Sequence, residues 1–432
     1  MADRTLEVWC FDVRAGMLGD CADGLDFVYD DSWLTADRPA LSQSLPLDGS
    51  YSKVSVAAFF GGLLPEGVPR GSLARNLGVS AANDFGLLQA LGGDTAGAIS
   101  LLPAGDTPRS VGGEVEWLEE HDLAELVDDL PNRPMHADDA GEYRLSLAGA
   151  QDKLPVVVGA DRRIGLTKGG TPSTHILKTA IAGLDGTVFN EALCLAIGRR
   201  LGIETVATEP CRVEGRDFLL VERYDRVHDE HGVRRLHQED FCQALGVSAR
   251  AKYQNEGGPG LADCFALLRR ATAVPAREAL KLLDQVALSF LVGNHDAHGK
   301  NYSLLYLADS SKGELSPAYD VLSTIAYEKT RPMSRKMAMS IGGEYRPDYV
   351  SARHLDRLLG EAGLGAAAAR RRLREVAQNA PPAAREAHEA SIAGGWDAPV
   401  LARIVEIVDR RAGMLEELTA PVSAPRRKAA QA

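Results

Sequence analysis

The residues with the clearest capacity for chemistry lie in Asn294-His295-Asp296-Ala297-His298-Gly299-Lys300-Asn301. Asp296 and Asn301 stand in the spacing D-x-x-x-x-N, and a further acid, Asp320, follows in Ser316-Pro317-Ala318-Tyr319-Asp320. Asp296 could take a proton from a hydroxyl. Asn301 and Asp320 offer hard oxygen ligands to a hydrated divalent cation that bridges phosphates. Protein kinases use this spacing, with the Asp as acceptor of the substrate hydroxyl proton and the Asn as a magnesium ligand. Asp, Asn, Gly and His are also ordinary turn residues, so the rest of the chain must decide.

The elements around this stretch fit a loop at a site. Upstream, Leu280, Leu283, Ala287, Phe290 and Leu291 fall on one stripe at helical spacing, which predicts a buried helix over Ala279 to Val292. Gly293 supplies a left-handed stop. Downstream, Tyr302 to Leu307 reads as a short apolar strand, and Asp309 to Gly313 as the turn of a hairpin. Asp296, Asn301 and Asp320 then sit on two loops flanking that hairpin.

Three earlier segments bear on the same chemistry. Tyr143 to Val158 reads as strand, small-residue turn, strand. The Ala148-Gly149-Ala150 turn would let backbone N–H groups approach a phosphate, though such a turn is more commonly a plain hairpin. Lys178 ends the apolar strand Thr174-His175-Ile176-Leu177-Lys178, where a kinase needs a lysine against the phosphates. Glu191, thirteen residues on, opens a helix and is a candidate partner for it; a favourable first-turn acid is the plainer explanation. Phe218 to Arg226 is a buried strand that turns polar, either a hinge whose Glu222 to Tyr224 backbone meets adenine or a strand end with a surface Arg/Asp cluster.

Composition narrows the class. The chain has 432 residues, 45% of them hydrophobic and 25% charged, which suits a globular protein of several units. No apolar run approaches the roughly 20 residues of a membrane helix, and the start lacks a signal-like core, so a cytoplasmic protein is expected. The six cysteines are scattered without a C-x-x-C pair and read as reduced core thiols. A net charge of −12 argues against unaided binding to nucleic acid. Helices are expected over Ser72–Leu77, Asp84–Leu91, Glu114–Leu130 (with Trp117 on its buried stripe), Glu239–Leu245, Leu261–Ala271, His354–Ala377 and Pro399–Leu418. Strands are expected at Glu7–Val13 and Asp26–Tyr29 with a Gly-rich turn between. Arg370-Arg371-Arg372 reads as a helix face, and Pro425–Ala432 as a disordered tail.

These segments together resemble the HipA family of toxin serine/threonine kinases, from HipBA-type toxin–antitoxin modules. The most specific pieces are Ser146-Leu-Ala-Gly-Ala-Gln-Asp-Lys153, Thr174-His-Ile-Leu-Lys178, Val221-Glu-Arg-Tyr-Asp-Arg226, Gln238-Glu-Asp-Phe-Cys-Gln243, Asn294 to Asn301 and Ala318-Tyr-Asp320. Phe59-Phe60-Gly61-Gly62-Leu63-Leu64-Pro65 and Gly92 to Ala98 resemble the family's N-terminal domain.

The resemblance implies an α+β, two-lobed, protein-kinase-like fold with a mixed α/β N-terminal lobe and an all-α C-terminal lobe. It divides the chain into an N-terminal domain (1–105), a kinase N-lobe with phosphate loop and hinge (106–226) and a helical C-lobe with the catalytic loop (227–432). It implies ATP and Mg²⁺ as cofactors and Asp296 as the catalytic base. Asn301 and Asp320 are the implied metal ligands, and Lys178 the ATP-phosphate lysine. Ala148, Gly149, Ala150, Gln151, Asp152 and Lys153 match the phosphate loop. Glu222, Arg223 and Tyr224 match the adenine segment, and His298 and Lys300 join the nucleotide-binding set. Ser146 matches a serine that such kinases autophosphorylate. The implied partners are a helix-turn-helix HipB-type antitoxin, which would supply any contact with DNA, and a protein substrate, an aminoacyl-tRNA synthetase in the best-understood cases. Two other readings remain open from the residues: a small-molecule kinase of the same shape, and a catalytically idle co-repressor.

Overall fold

Alternation at period two starts the chain: Leu6, Val8 and Cys10 point inward and make Arg4–Cys10 a half-buried strand, β1. The computed structural model describes residues 4–36, 38–108, 114–132, 134–136, 145–149, 151–168, 171–230, 232–307 and 310–420. The tail expected to be disordered lies outside these residues. β2 (Val13–Cys21) and β3 (Gly24–Tyr29) follow, then the helices α1 (Asp31–Thr35), α2 (Lys53–Gly61), α3 (Gly67–Asn76) and α4 (Asp84–Leu91), and β4 (Ile99–Leu102). The four strands form an antiparallel sheet in the order β3-β2-β1-β4. The Gly-rich stretch expected as a turn is β2 itself. Gly16 is needed there because a Cβ would stand 2.2 Å from the Val28 carbonyl. Phe27, Phe59, Phe60, Phe85 and Leu87 fill the core between this sheet and its helices.

A second sheet has six strands in the order β5-β7-β6-β8-β10-β9. These are β5 (Val115–Trp117), β6 (Lys153–Val158), β7 (Ile164–Thr167), β8 (His175–Thr179), β9 (Thr208–Val213) and β10 (Arg216–Glu222), with α5 (Glu120–Asp129) after β5 and α6 (Thr187–Arg200) after β8. Period two decides the faces. Leu154, Val156, Leu177, Phe218 and Leu220 pack under α5, while Leu219 and Val221 face the opposite way, toward α6. Lys153 and Lys178 lie one residue from Leu154 and Leu177, so they share that opposite face. Three expectations change here. The long acidic helix from Glu114 divides into β5 and α5, because Val115 to Trp117 pairs with Gly165 to Thr167, and Trp117 is exposed. Residues 145–149 form no strand; Leu145 and Gly149 make single bridges to Asp94 and Pro65 of the N-terminal unit. The Arg/Asp cluster after β10 is buried, not at the surface.

The remainder is mostly helical: α7 (Phe241–Leu245), α8 (Leu261–Ala271), α9 (Pro275–Val292), α10 (Ala352–Ala362), α11 (Ala366–Ala393) and α12 (Pro399–Thr419). It is not purely so. β11 (Arg226–Asp229) and β12 (Gly232–Arg235) form a hairpin, and β13 (His237–Asp240), β14 (Ser303–Tyr306) and β15 (Glu314–Leu315) form a small antiparallel sheet. The expected helix over Glu239–Leu245 begins only at Phe241, where Asp240 and Gln243 close a capping box. The expected helix His354–Ala377 is two helices, broken where Gly363 adopts φ 68°. On α9, Leu283, Ala287, Phe290 and Leu291 are buried as expected, but Leu280 is 38% exposed, off the stripe. Arg372 pairs with Asp284 of α9 and Arg370 with Asp356 of α10, so these two face neighbouring helices while Arg371 is exposed. All six cysteines are free thiols, four of them buried. Among the described residues no helix is long and apolar enough to cross a membrane.

Candidate active site

A cavity of about 350 Å³ opens between the second sheet and the helical part. Its floor is the loop after α9, which Gly293 ends in the left-handed conformation (φ 74°). Asn294 Oδ1 accepts from the Asp296 N–H at 3.0 Å, and Asn301 Oδ1 accepts from the His298 N–H at 3.1 Å. These side-chain bonds brace the loop and leave the Asp296 carboxylate facing the cavity, where it accepts from the Tyr253 hydroxyl at 2.8 Å. Asp296 is exposed at the cavity, yet the protein packed around its carboxyl displaces enough water to raise it above the usual aspartate value, against the opposing pull of the Tyr253 bond and Lys252. His295 packs behind the loop. Its Nδ1–H donates to Ser334 O at 2.8 Å, and its Nε2 accepts from Arg411 of α12 at 3.1 Å.

Lys178, at the end of β8, is held between two carboxylates. Its Nζ lies 2.6 Å from Glu191 Oε1 on α6 and also contacts Asp320. Burial alone would lower the lysine, but Asp320 and Glu191 more than offset it and raise it above its usual range. Burial raises Asp320 too, yet Lys178 and Lys153 hold it well below the usual carboxylate range. Asp320 adopts φ 53°, a conformation uncommon for a residue with a side chain, which turns its carboxylate off the end of the hairpin toward the lysines. Burial lowers Lys153.

The cavity wall includes Lys153, Lys178, Asp296, His298, Lys300, Asn301 and Asp320, as well as Ala148, Gly149, Gln151 and the segment Glu222 to Tyr224. Asp152 and Ser146 lie off the wall, and Ala150 is outside the described residues. Ser146 is fully buried, its Oγ donating to Leu63 O at 2.7 Å. At the segment expected to meet adenine, the Glu222 and Arg223 N–H groups are already bonded to Ala207 O and Thr174 O. The Arg223 side chain turns away into a buried ion cluster, 2.8 Å from Asp225 and 3.4 Å from Asp94. Lys300 is likewise committed, at 2.6 Å from Asp240.

The residues present suit a magnesium nucleotide. Two buried lysines face one cavity, Gly149 (φ 117°) leaves no Cβ where one would stand 2.6 Å from Lys153 Nζ, and the Asn301 and Asp320 oxygens are hard donors. Sequence reasoning missed Glu66, Lys252, Tyr253 and Asp240, which also line or contact this site. Glu66 directly follows Leu63-Leu64-Pro65, a stretch in which no chemistry was legible.

The fold is that of a kinase. The chain matches the HipA N-terminal domain model over residues 6–102 and the HipA-like C-terminal domain model over residues 145–384. It is 30% identical to the serine/threonine-protein kinase toxin HipA of Shewanella oneidensis over 96% of this chain and 97% of that one. It is 44% identical to the kinase candidate Y4mE of Sinorhizobium fredii, over 86% of this chain and 89% of that protein. The solved complex of Shewanella oneidensis HipA with HipB and operator DNA matches with a TM-score of 0.79 and 29% identity, covering 96% of this chain and 99% of that one. The chain belongs to the HipA family.

Proposed function

We propose that this chain is an ATP- and Mg²⁺-dependent serine/threonine protein kinase, the toxin of a type II toxin–antitoxin pair. The observation that carries the reading is Lys178, held between Glu191 and Asp320 in the cavity that Asp296 and Asn301 also line. When bound, the nucleotide would supply the phosphoryl group and the ion would neutralise its charge. Lys178 and Lys153 present two cationic heads to the phosphates. Asn301 and Asp320 supply oxygen ligands for the ion. Asp296 orients an acceptor hydroxyl and takes its proton. His298 and Lys300 brace the loop that carries these groups.

The partner we propose is a HipB-type helix-turn-helix antitoxin, by likeness to the Shewanella complex. That partner would carry the contact with operator DNA, since this chain's net charge is −12 and DNA affinity rests on phosphate neutralisation by Lys and Arg. The target is a cytoplasmic protein, an aminoacyl-tRNA synthetase by family resemblance, and Ser146 is the autophosphorylation site. The division into an N-terminal domain (1–105), N-lobe (106–226) and C-lobe (227–432) is part of the same proposal.

The test is incubation of purified chain with γ-labelled ATP, Mg²⁺ and extract of its host cells. Label in one or a few proteins, absent with Asp296→Asn, supports the reading. Label confined to small molecules would make it a small-molecule kinase, and no transfer at all an idle binding protein.

A further inference from the structure

The N-terminal unit supplies a charged group to the site. Glu66 stands at the position before α3 where a side chain would cap the helix, but it makes no capping hydrogen bond. It turns instead into the cavity. Its backbone N–H donates to Gly149 O at 2.9 Å, which ties it to the phosphate loop. Its Oε2 lies 2.8 Å from Lys252 Nζ. Its Oε1 is buried without a hydrogen-bond partner, 3.6 Å from Lys300 Nζ. Lys300 also donates to Gly62 O at 3.3 Å, so two points of one N-terminal segment grip the catalytic loop. Lys252 Nζ sits over the Tyr253 ring, 5.5 Å from its centre, and the Tyr253 hydroxyl donates to Asp296.

A glutamate serving only to glue two units together could lie anywhere on their interface. This one touches the phosphate loop, a lysine of the loop that carries the proposed base, and a lysine packed on the tyrosine that bonds that base. We propose that Glu66 is a positioning residue for phosphoryl transfer. It holds Lys300, and through Lys252 and Tyr253 it fixes the Asp296 carboxylate relative to the phosphate loop. The N-terminal unit is then part of the active site. The inference rests on the kinase reading above.

The test measures label transfer from γ-labelled ATP·Mg²⁺ into extract protein, at varied ATP, for wild type, Glu66→Gln, Lys252→Met and the double variant. Asp296→Asn runs beside them. Glu66→Gln keeps the volume of the side chain and removes its charge. A fall in apparent kcat of at least about 10-fold is expected, with KM for ATP within about 3-fold, since positioning acts on the reacting geometry more than on nucleotide binding. The double variant should be no slower than the slower single one, because both break the same link. Wild-type kcat in Glu66→Gln, or losses that multiply in the double variant, would overturn the proposal. An unreduced rate in Asp296→Asn would overturn the kinase reading itself, a separate failure. If Glu66→Gln does not fold, Lys252→Met reads the link from its other end, with the same split between kcat and KM expected and an unchanged kcat counting against it.

Discussion

Lys153 on β6 stands directly opposite Lys178 on β8 in the antiparallel register, so both side chains leave the same face of the sheet and reach the same cavity. The two are not equivalent. Lys178 is neutralised by Glu191 and Asp320, whereas among the described residues Lys153 has no ion-pair partner. Asp320 acts on both lysines, at ion-pair distance from Lys178 and at longer range from Lys153, so Lys153 is the one left without a close counter-charge for an anion entering the cavity to meet.

Substituting the two lysines should therefore cost different amounts of stability. Lys178→Met leaves the buried Glu191 and the half-buried Asp320 facing each other without their cation and should cost up to roughly 3–5 kcal/mol, the scale for breaking a buried pair. Lys153→Met removes a buried charge that Asp320 balances only at longer range, and should lower the melting temperature much less than Lys178→Met. Both should weaken ATP binding. Thermal melts with calorimetric ATP titration check this, and a Lys153→Met variant as destabilised as Lys178→Met would contradict the assignment.

Asp296→Asn should keep the fold and ATP affinity. It should lower phosphoryl transfer by about 10²–10⁴-fold, the usual contribution of a positioned general base. Initial rates against a protein target measure it, and near wild-type labelling would remove Asp296 from that role.

Asn301→Ala and Asp320→Ala should each reduce ATP affinity in the presence of Mg²⁺ more than in its absence. The two differ in stability. Asp320→Ala takes one of the two counter-charges from Lys178, while Asn301→Ala loses a single loop bond. Titrations with and without Mg²⁺ separate the metal effect from the structural one.

Ser146 has no room for a phosphate where it stands, because it is fully buried with its hydroxyl on Leu63 O. Phosphorylation, which adds about −1.5 to −2 charge, should expel residues 145–149 from their place against the N-terminal unit. Mass spectrometry of chain incubated with ATP·Mg²⁺ gives the stoichiometry, and protease sensitivity of that segment gives the expulsion. Full modification with unchanged protection would contradict it.

Acid should destabilise the fold through His237. Burial pulls its pKa down to about 4 from an ordinary 6.5, and its Nε2–H donates to Leu41 O at 2.7 Å. A depressed folded pKa means stability present above pH 6.5 and lost as pH falls through about 4, at most roughly 3 kcal/mol for this group. His298, pulled down to about 3 by burial and Lys252, acts in the same direction. Melting temperatures from pH 7 to pH 4.5 should fall less steeply for His237→Gln than for wild type.

Asp296, Asn301 and Asp320 could be picked out because they lie close together in sequence, at spacings kinase chemistry uses. The Lys178–Glu191 pair was a candidate for the same reason. Lys153, by contrast, came only from the family resemblance, and the Glu222–Tyr224 segment was chosen over a plain strand end only through it. Glu66, Lys252 and Tyr253 were not legible, since each is an ordinary residue until the N-terminal unit, the loop before α8 and the catalytic loop meet in space. Alternation or clustering of apolar residues identified β1, β3 and β8, and helix-like runs identified α4, α8 and most of α9. Helix ends failed where a strand partner intervened: Glu114–Trp117 and Glu239–Asp240 carry no local mark that Gly165–Thr167 and Ser303–Tyr306 will pair with them.

Asp94, a wholly buried carboxylate of the N-terminal unit, lies within 3.4 Å of Arg223, Arg226 and Arg235. The guanidinium groups of the strand edge beside the cavity thus take part of their neutralisation from a different part of the chain. A chimera built from two relatives would tolerate a foreign N-terminal unit only if it delivered an acid to that same point. The two pieces are a matched lock and must be inherited together.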